Sequence, residues 1–298
     1  MPTLTRRLTN ALAHELRLAA VALQFLTRVP VRLANFKPQW LHDSARHFPL
    51  IGVAVGAWGA LLLALALLTW PPWVAVLLSM AGTVWLTGGF HEDGLADTCD
   101  GLGGAVSRER ALLIMKDSRL GSYGALGLGL TLALKAALLV ALVGDKPGPS
   151  AALAGAALLL AHGLSRGAAV ALLAALPYAG DVEHAKAKPM AQQISAGGLV
   201  VALGWCAALV LGVGVGAGVS VASVVACATV TACSGSPADL AALSPPRLAG
   251  AVLCAALVTL VCGRWLHHRL GGYTGDGLGA TQQWAELAVY LALTAGRG

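Results

Sequence analysis

Residues 73–104 read WVAVLLSMAGTVWLTGGFHEDGLADTCDGLGG, so an apolar run passes directly into a cluster of acids. The apolar part, about 73–90, predicts a helix that crosses a membrane. Residues 90–120 then hold six of the 14 acidic and four of the 20 basic residues of the chain. A helix that continues unbroken to Asp100 would contain about 28 residues and extend roughly 42 Å, which places the acids at or just beyond the headgroups.

The acids of this segment are regularly spaced. Asp93, Asp97 and Asp100 stand at i, i+4 and i+7, so on a helix they fall within an arc of roughly 60°. Like charges at this spacing repel each other, and a hard divalent cation relieves the repulsion. Mg²⁺ usually takes one or two carboxylates and completes its shell with water and phosphate oxygens. The stripe therefore predicts a Mg²⁺ site for a phosphate ester, with a solvated acidic helix end as the alternative.

The composition places the chain in a membrane. It is 57% hydrophobic and 11% charged, with a mean hydropathy of +0.74, whereas soluble domains are roughly 25% charged. The net charge of +6 comes from bases in short segments that flank apolar runs. That pattern is typical of cytoplasmic loops and argues against nucleic-acid binding. The six cysteines include no Cys-x-x-Cys pair, which argues against a zinc site or a disulfide framework.

We expect an all-α, polytopic membrane protein with about seven transmembrane helices and a short cytoplasmic helical loop that carries the active site. Residues 1–298 form a single domain, in which 1–47 are a cytoplasmic or interfacial segment and 90–120 are the catalytic segment. Residues 177–196 are predicted as a cytoplasmic loop and 234–247 as a connector. The predicted spans are about 48–70, 73–90, 121–143, 151–176, 248–266 and 278–296, with one more crossing within 197–233, whose remainder is re-entrant or extramembrane.

Basic side chains follow the acidic stripe. Ser107 predicts the N-cap of a helix over about 108–117, and Asp117 is either a further ligand or the partner of Arg119. Arg166 lies within a predicted span, where a charged group must face protein or a water-filled cavity. For Arg166, substrate contact and structural pairing are both left open. The candidate substrate-binding residues are Arg108, Arg110, Lys116, Asp117, Arg119 and Arg166.

Two residues are candidates for a general base by residue type and setting, namely His91 and Asp276. His91 lies about 200° around the helix from Asp93, so a capping or interface role is an equal alternative. Asp276 stands in a glycine-rich segment before the last predicted helix, where an N-cap or turn role is the alternative.

The sequence resembles the cobalamin synthase family, the adenosylcobinamide-GDP ribazoletransferases. Residues 91–101 (HEDGLADTCDG), Arg110 and residues 114–121 (IMKDSRLG) carry the specific part of the resemblance. Weaker matches occur in the order expected of the family and extend the resemblance from residue 25 to residue 280. They are residues 25–31 (FLTRVPV), 48–52 (FPLIG), 165–167 (SRG) and 272–280 (GYTGDGLGA).

The resemblance implies a multi-pass enzyme of a bacterial inner membrane, with its active site facing the cytoplasm. Such an enzyme joins α-ribazole, or its 5′-phosphate, to adenosylcobinamide-GDP and releases GMP, with Mg²⁺ as cofactor. Asp93, Asp97 and Asp100 would then be the metal ligands. The lipid bilayer is the other expected partner, and a homo-oligomer is left open.

Two other functions fit parts of the pattern. A CDP-alcohol phosphotransferase of phospholipid synthesis has a similar aspartate pattern and the same type of reaction on another substrate. A transporter could use Asp93, Asp97 and Arg166 as an intramembrane relay. The position of the acids at a helix end beside a basic loop, and the absence of an evident inverted repeat, argue against the transporter.

Overall fold

The computed structural model describes residues 4–33, 35–104, 106–144, 150–180, 194–227 and 243–296. These residues are all-α, as predicted, apart from turns, a short 3₁₀ helix at Ala45–His47 and one isolated bridge between Tyr178 and Tyr273. The helices are α1 (Leu4–Leu26), α2 (Gln39–Ser44), α3 (Phe48–Ala66), α4 (Pro72–Thr87), α5 (Phe90–Leu102), α6 (Arg108–Met115), α7 (Ser122–Val143), α8 (Ser150–Ala175), α9 (Ala196–Cys227), α10 (Pro245–Leu270) and α11 (Gly275–Thr294).

Five stretches among the described residues are long and apolar enough to cross a membrane, and the bent pair of α4 and α5 adds a sixth if it is counted as one span. The polytopic membrane fold is therefore confirmed, but the expected count of about seven is not. Most of the predicted loop at 177–196 and of the connector at 234–247 lies outside the described residues. The five stretches are Gln39–Ala66, Ser122–Val143, Ala152–Ala175, Ala196–Gly216 and Pro245–Leu270.

The predicted continuous helix from the second span to Asp100 is wrong. The helix breaks at Gly88 and Gly89, whose φ angles are +75° and +72°, and α5 leaves α4 at 89°. The left-handed region is open to glycine at little cost but is unfavourable for other residues, so this pair ends α4. The Gly88 amide donates to the carbonyl of Trp85 and the Gly89 amide to that of Val84. The acids therefore lie on a separate helix rather than on an extension of the span.

Helix α11 lies in the interior of the bundle and packs against α5, α7, α8 and α10. It was predicted as the last span, but it is not among the stretches apolar enough to cross a membrane by composition. The reason is a set of polar side chains on α11 that the neighbouring helices bury, notably Gln282, Gln283 and Glu286. This helix connects the surface that carries the acids with the polar interior of the bundle.

Candidate functional site

Helix α5 presents two of the predicted metal ligands toward solvent. It is continuous from Phe90 to Leu102, so the predicted helical spacing of the acids holds. Asp93 is exposed and Asp97 is half-buried. Leu95, on the opposite side of the helix, is buried in the bundle.

A close approach of two backbones brings Asp276 next to these acids. A Cβ atom added at Gly94 would lie 3.0 Å from both the Cα and the carbonyl oxygen of Asp276. A Cβ atom added at Gly279 would lie 3.2 Å from the carbonyl oxygen of His91. Glycine at these positions therefore allows α5 to contact the first turn of α11. Asp276 is not the N-cap of α11, because Thr274 accepts the hydrogen bond from the Gly277 amide at 3.0 Å.

Asp100 has a structural role that the sequence analysis did not anticipate. Its Oδ2 accepts a hydrogen bond from the Gly121 amide and its Oδ1 accepts one from the Gly124 amide, both at 2.8 Å. The carboxylate thus satisfies amides at the N-terminus of α7, where a negative charge is favourable. Metal ligation by Asp100 stays a prediction, and both of its oxygens already have partners.

The short basic helix forms as predicted and ends two residues earlier, at Met115. Ser107 is its N-cap, since the Ser107 hydroxyl accepts from the Arg110 amide at 3.3 Å. Arg108 donates from Nε to the carbonyl of Leu270 at 2.6 Å and from Nη2 to that of Ala179 at 3.1 Å. The guanidinium of Arg108 therefore links three segments of the chain, which makes it a weaker candidate for binding phosphate.

Asp117 and Arg119 pair with each other. Arg119 Nη2 lies 2.6 Å from Asp117 Oδ2, and its Nε and backbone amide also donate to the carboxylate. These hydrogen bonds from Arg119 lower the pKa of Asp117 to about 2 and raise the pKa of Arg119. Asp117 was considered either as a further ligand or as the partner of Arg119, and in the structure it pairs with Arg119. Arg119 is 86% exposed in its side chain, and Arg110 and Lys116 are also exposed.

His91 faces away from the acids. It is 5% exposed and lines a small cavity together with Thr83, Thr87 and Arg166. The predicted angle between His91 and Asp93 on the helix explains this position. The structure does not bring His91 to the solvent side of α5, whereas Asp276 does lie beside that helix.

A buried polar network lies beneath α5. Lys135 of α7 forms an ion pair with Glu286 of α11, and both side chains are almost fully buried. Gln282 donates to Glu286 at 2.8 Å and to the Ser165 hydroxyl at 2.9 Å. Tyr290 donates to the other Glu286 oxygen at 3.1 Å. Of these residues the sequence analysis named only Ser165, as part of the family match at residues 165–167. Lys135 and Glu286 each interrupt an apolar span, the signal that identified Arg166.

Arg166 belongs to this buried network. It is 2% exposed, and its Nη1 donates to the carbonyl of His162 at 3.0 Å. The cavity that Arg166 lines also contains Glu92, Gln282 and Gln283, and Gln283 donates to Glu92 at 3.0 Å. These contacts favour structural pairing for Arg166, one of the two roles left open above.

The donor chemistry of the site fits Mg²⁺. Among the described residues, no group of three or more His, Cys, Asp or Glu side chains is arranged to hold a metal ion. Mg²⁺ needs only one or two carboxylates when water and phosphate complete its shell. Asp93 and Asp97 supply such a pair on one helix face, and Asp276 lies on the adjoining helix.

The fold and the site together define a polytopic, all-helical membrane protein with carboxylates and exposed bases around the end of one broken span. Residues 18–294 match the family described as cobalamin-5-phosphate synthase. The chain therefore belongs to this family, and it is an enzyme.

Three relatives are named adenosylcobinamide-GDP ribazoletransferase. The protein from Leptothrix cholodnii is 57% identical over 96% of this chain and 98% of its own length. The protein from Polaromonas naphthalenivorans is 44% identical over 92% of this chain and 95% of its own. The protein from Albidiferax ferrireducens is 45% identical over 93% and 96%, respectively. No solved structure matches the chain.

Proposed function

We propose that this enzyme is a Mg²⁺-dependent adenosylcobinamide-GDP ribazoletransferase. It joins α-ribazole, or its 5′-phosphate, to adenosylcobinamide-GDP and forms adenosylcobalamin, or its 5′-phosphate, with release of GMP. The names of the relatives support these substrates. The observation that carries the proposal is the backbone contact between Gly94 and Asp276, which places the first turn of α11 against the helix that carries Asp93 and Asp97.

The reaction is a phosphoryl transfer. A ribose hydroxyl of α-ribazole attacks the phosphorus linked to cobinamide, the bond from that phosphorus to the bridging oxygen breaks, and GMP leaves with the electron pair. The hydroxyl proton passes to a base. Positioning and charge neutralisation lower most of the barrier in such transfers.

Asp93 and Asp97 would hold the Mg²⁺ ion, with water and phosphate oxygens completing its shell. When bound, Mg²⁺ supplies charge neutralisation on the diphosphate and on the departing GMP. Asp100 is a weaker ligand candidate, because amides of α7 occupy both of its oxygens.

Exposed bases bind the remaining phosphate charge. Arg110 and Lys116 extend from α6 and its C-cap, and Arg119 follows in the next turn. A guanidinium can bind phosphate through two parallel hydrogen bonds, which a lysine cannot do. Arg119 would have to break its ion pair with Asp117 before it could bind a phosphate. Arg110 is exposed on the first turn of α6.

Asp276 is the better candidate for the general base. It lies next to the helix that carries the proposed metal ligands, whereas His91 is buried on the opposite side. A base must come within hydrogen-bond reach of the attacking hydroxyl. Asp276 can satisfy that requirement for a substrate that approaches from solvent.

The enzyme is proposed to reside in a bacterial inner membrane with this site facing the cytoplasm. Arg108, Arg110, Lys116 and Arg119 cluster beside the end of a span, and Arg269 lies at the C-terminus of α10 close to them. Excess positive charge marks cytoplasmic loops.

The test is an assay on membranes or purified protein with Mg²⁺, α-ribazole and adenosylcobinamide-GDP. We expect cobalamin and GMP in equal amounts, and none of either with Asp97→Asn. Parallel reactions replace α-ribazole by its 5′-phosphate and adenosylcobinamide-GDP by CDP-diacylglycerol. Consumption of CDP-diacylglycerol alone would contradict the proposal, as would ion or solute flux in liposomes without GMP production.

A further inference from the structure

The cavity beneath α5 contains hydrogen-bonding atoms that no described residue satisfies. Four buried atoms on residues that line this cavity have no hydrogen-bond partner, namely Arg166 Nε, Glu92 Oε2, Gln283 Oε1 and His162 Nε2. His162 Nε2 lies 3.5 Å from Glu286 Oε1 and faces that carboxylate, which leaves the other three. Leaving such atoms unpaired in an apolar interior costs about 1–3 kcal/mol each. Three such atoms around one cavity therefore indicate a ligand that pairs with them.

The donors and acceptors match one water molecule. Arg166 Nε carries a hydrogen that a water oxygen accepts, while Glu92 Oε2 and Gln283 Oε1 each accept one hydrogen from water. The cavity volume is about 10 Å³, at the lower limit of what one water molecule needs. Buried waters typically make about three hydrogen bonds.

The charged side chains of the buried network also indicate a ligand in this cavity. Lys135 has a direct carboxylate partner in Glu286. Arg166 forms no direct ion pair among the described side chains. Two carboxylates line its cavity, Glu286 and Glu92, and Lys135 pairs with Glu286 but not with Glu92. A buried cation and a buried anion that face one cavity offset each other's desolvation free energy if hydrogen bonds connect them.

We propose that this cavity is a binding site for one ordered water molecule, which links Arg166 on α8 to Glu92 on α5 and Gln283 on α11. The water-bridged ion pair makes Arg166 a positioning residue. Glu92 precedes Asp93 on α5, and its other oxygen is held by Gln283 at 3.0 Å. The bridge therefore fixes the rotation of the helix that carries Asp93 and Asp97.

A double-variant cycle on the purified protein tests the link. Arg166→Met removes the cation of the proposed bridge, Glu92→Gln removes its anion while Glu286 remains in the cavity, and the double variant removes both charges of the bridge. We expect each single variant to lower the Tm in detergent by about 5–10 °C, and the double variant to lower it by less than the larger single loss. Additive losses would overturn the proposal.

Arg247→Met combined with Glu92→Gln is the matched control. Arg247 donates to the carbonyl of Leu293 at the far end of α11, so its loss should add to that of Glu92→Gln. Coupling as large as that of the Arg166 cycle would overturn the specific link.

A direct measurement on the wild-type protein serves if a variant does not fold. In a cryo-EM or crystal structure that resolves ordered water, we expect one peak within hydrogen-bond distance of Arg166 Nε and Glu92 Oε2. A dry cavity, or direct contact between the two side chains, would overturn the water site.

The positioning role rests on the proposed function and has its own measurement. Glu92→Gln should lower kcat for GMP release about tenfold or more, with KM for adenosylcobinamide-GDP little changed. Unchanged kcat would overturn the positioning role. If the wild-type enzyme does not use this substrate, the proposed function fails, while the Tm cycle and the structure still decide the water site.

Discussion

Arg108 caps the C-terminus of the helix that carries Arg269, and Arg269 caps the C-terminus of α5, the helix before Arg108. Arg108, which follows α5, donates to the carbonyl of Leu270 at the end of α10. Arg269, on α10, donates from Nη1 to the carbonyl of Leu102 at the end of α5 at 3.0 Å and from Nη2 to that of Gly104 at 2.9 Å. Positive charges at helix C-termini satisfy unpaired carbonyls and oppose the helix dipole. The reciprocal pair joins the acidic segment to the turn before Asp276.

Arg108→Met should destabilise the protein before it affects substrate binding. The substitution removes charged hydrogen bonds to two carbonyls, worth about 1.5–3 kcal/mol each. We expect a lower Tm of the detergent-solubilised protein, with KM for adenosylcobinamide-GDP within about twofold of wild type. An unchanged Tm together with a large rise in KM would instead assign Arg108 to phosphate binding.

Arg110→Ala should show the opposite pattern. Arg110 is exposed, so its removal should leave the Tm almost unchanged, because such surface substitutions usually change stability by less than about 0.5 kcal/mol. We expect kcat/KM for adenosylcobinamide-GDP to fall about tenfold or more, the loss of one charged phosphate contact. Steady-state kinetics that match wild type would remove Arg110 from the site.

Asp97→Asn and Asp100→Asn should separate chemistry from folding. Asp97→Asn should abolish Mg²⁺-dependent GMP release while membrane insertion stays intact. Asp100→Asn should lower the Tm, because an amide is a weaker partner than a carboxylate for the amides of Gly121 and Gly124 and the loss of a cap costs about 1 kcal/mol. Wild-type turnover by Asp97→Asn would contradict the metal site.

Gly94→Val tests the contact between α5 and α11. A side chain at this position meets the backbone of Asp276 at 3.0 Å, so the two helices must move apart. We expect kcat to fall about a hundredfold, since a displacement of about 1 Å can cost that much. Gly129→Ala is the matched control, because an added Cβ atom there meets nothing within 4 Å and should leave kcat unchanged.

The sequence predicted the class of fold and much of the acidic segment for clear physical reasons. Apolar runs of sufficient length mark spanning helices, and a serine before a charged helical segment marks an N-cap. Ser107 and the helix that carries Asp93 and Asp97 follow these rules. The family resemblance is confirmed by the match over residues 18–294. The metal and substrate roles of individual residues stay predictions.

Other features depend on contacts that local patterns do not encode. The break after Thr87 needs both glycines in the left-handed region, and a glycine pair in an apolar run is equally compatible with a continuous helix. Asp100 finds its amide partners more than 20 residues later in the chain. Lys135 and Glu286 come from distant helices, and their pairing became visible only once α7 and α11 were adjacent.

The bend at Gly88 and Gly89 also determines how the carboxylates of α5 are arranged relative to α4. On a straight extension of α4, successive aspartates would stand at increasing heights above the bilayer, about 5–6 Å apart for each turn. Because α5 turns away by 89°, the aspartates on α5 follow one another nearly perpendicular to the axis of α4. Asp93 and Asp97 then stand side by side rather than one above the other, so the proposed diphosphate substrate would meet both carboxylates together.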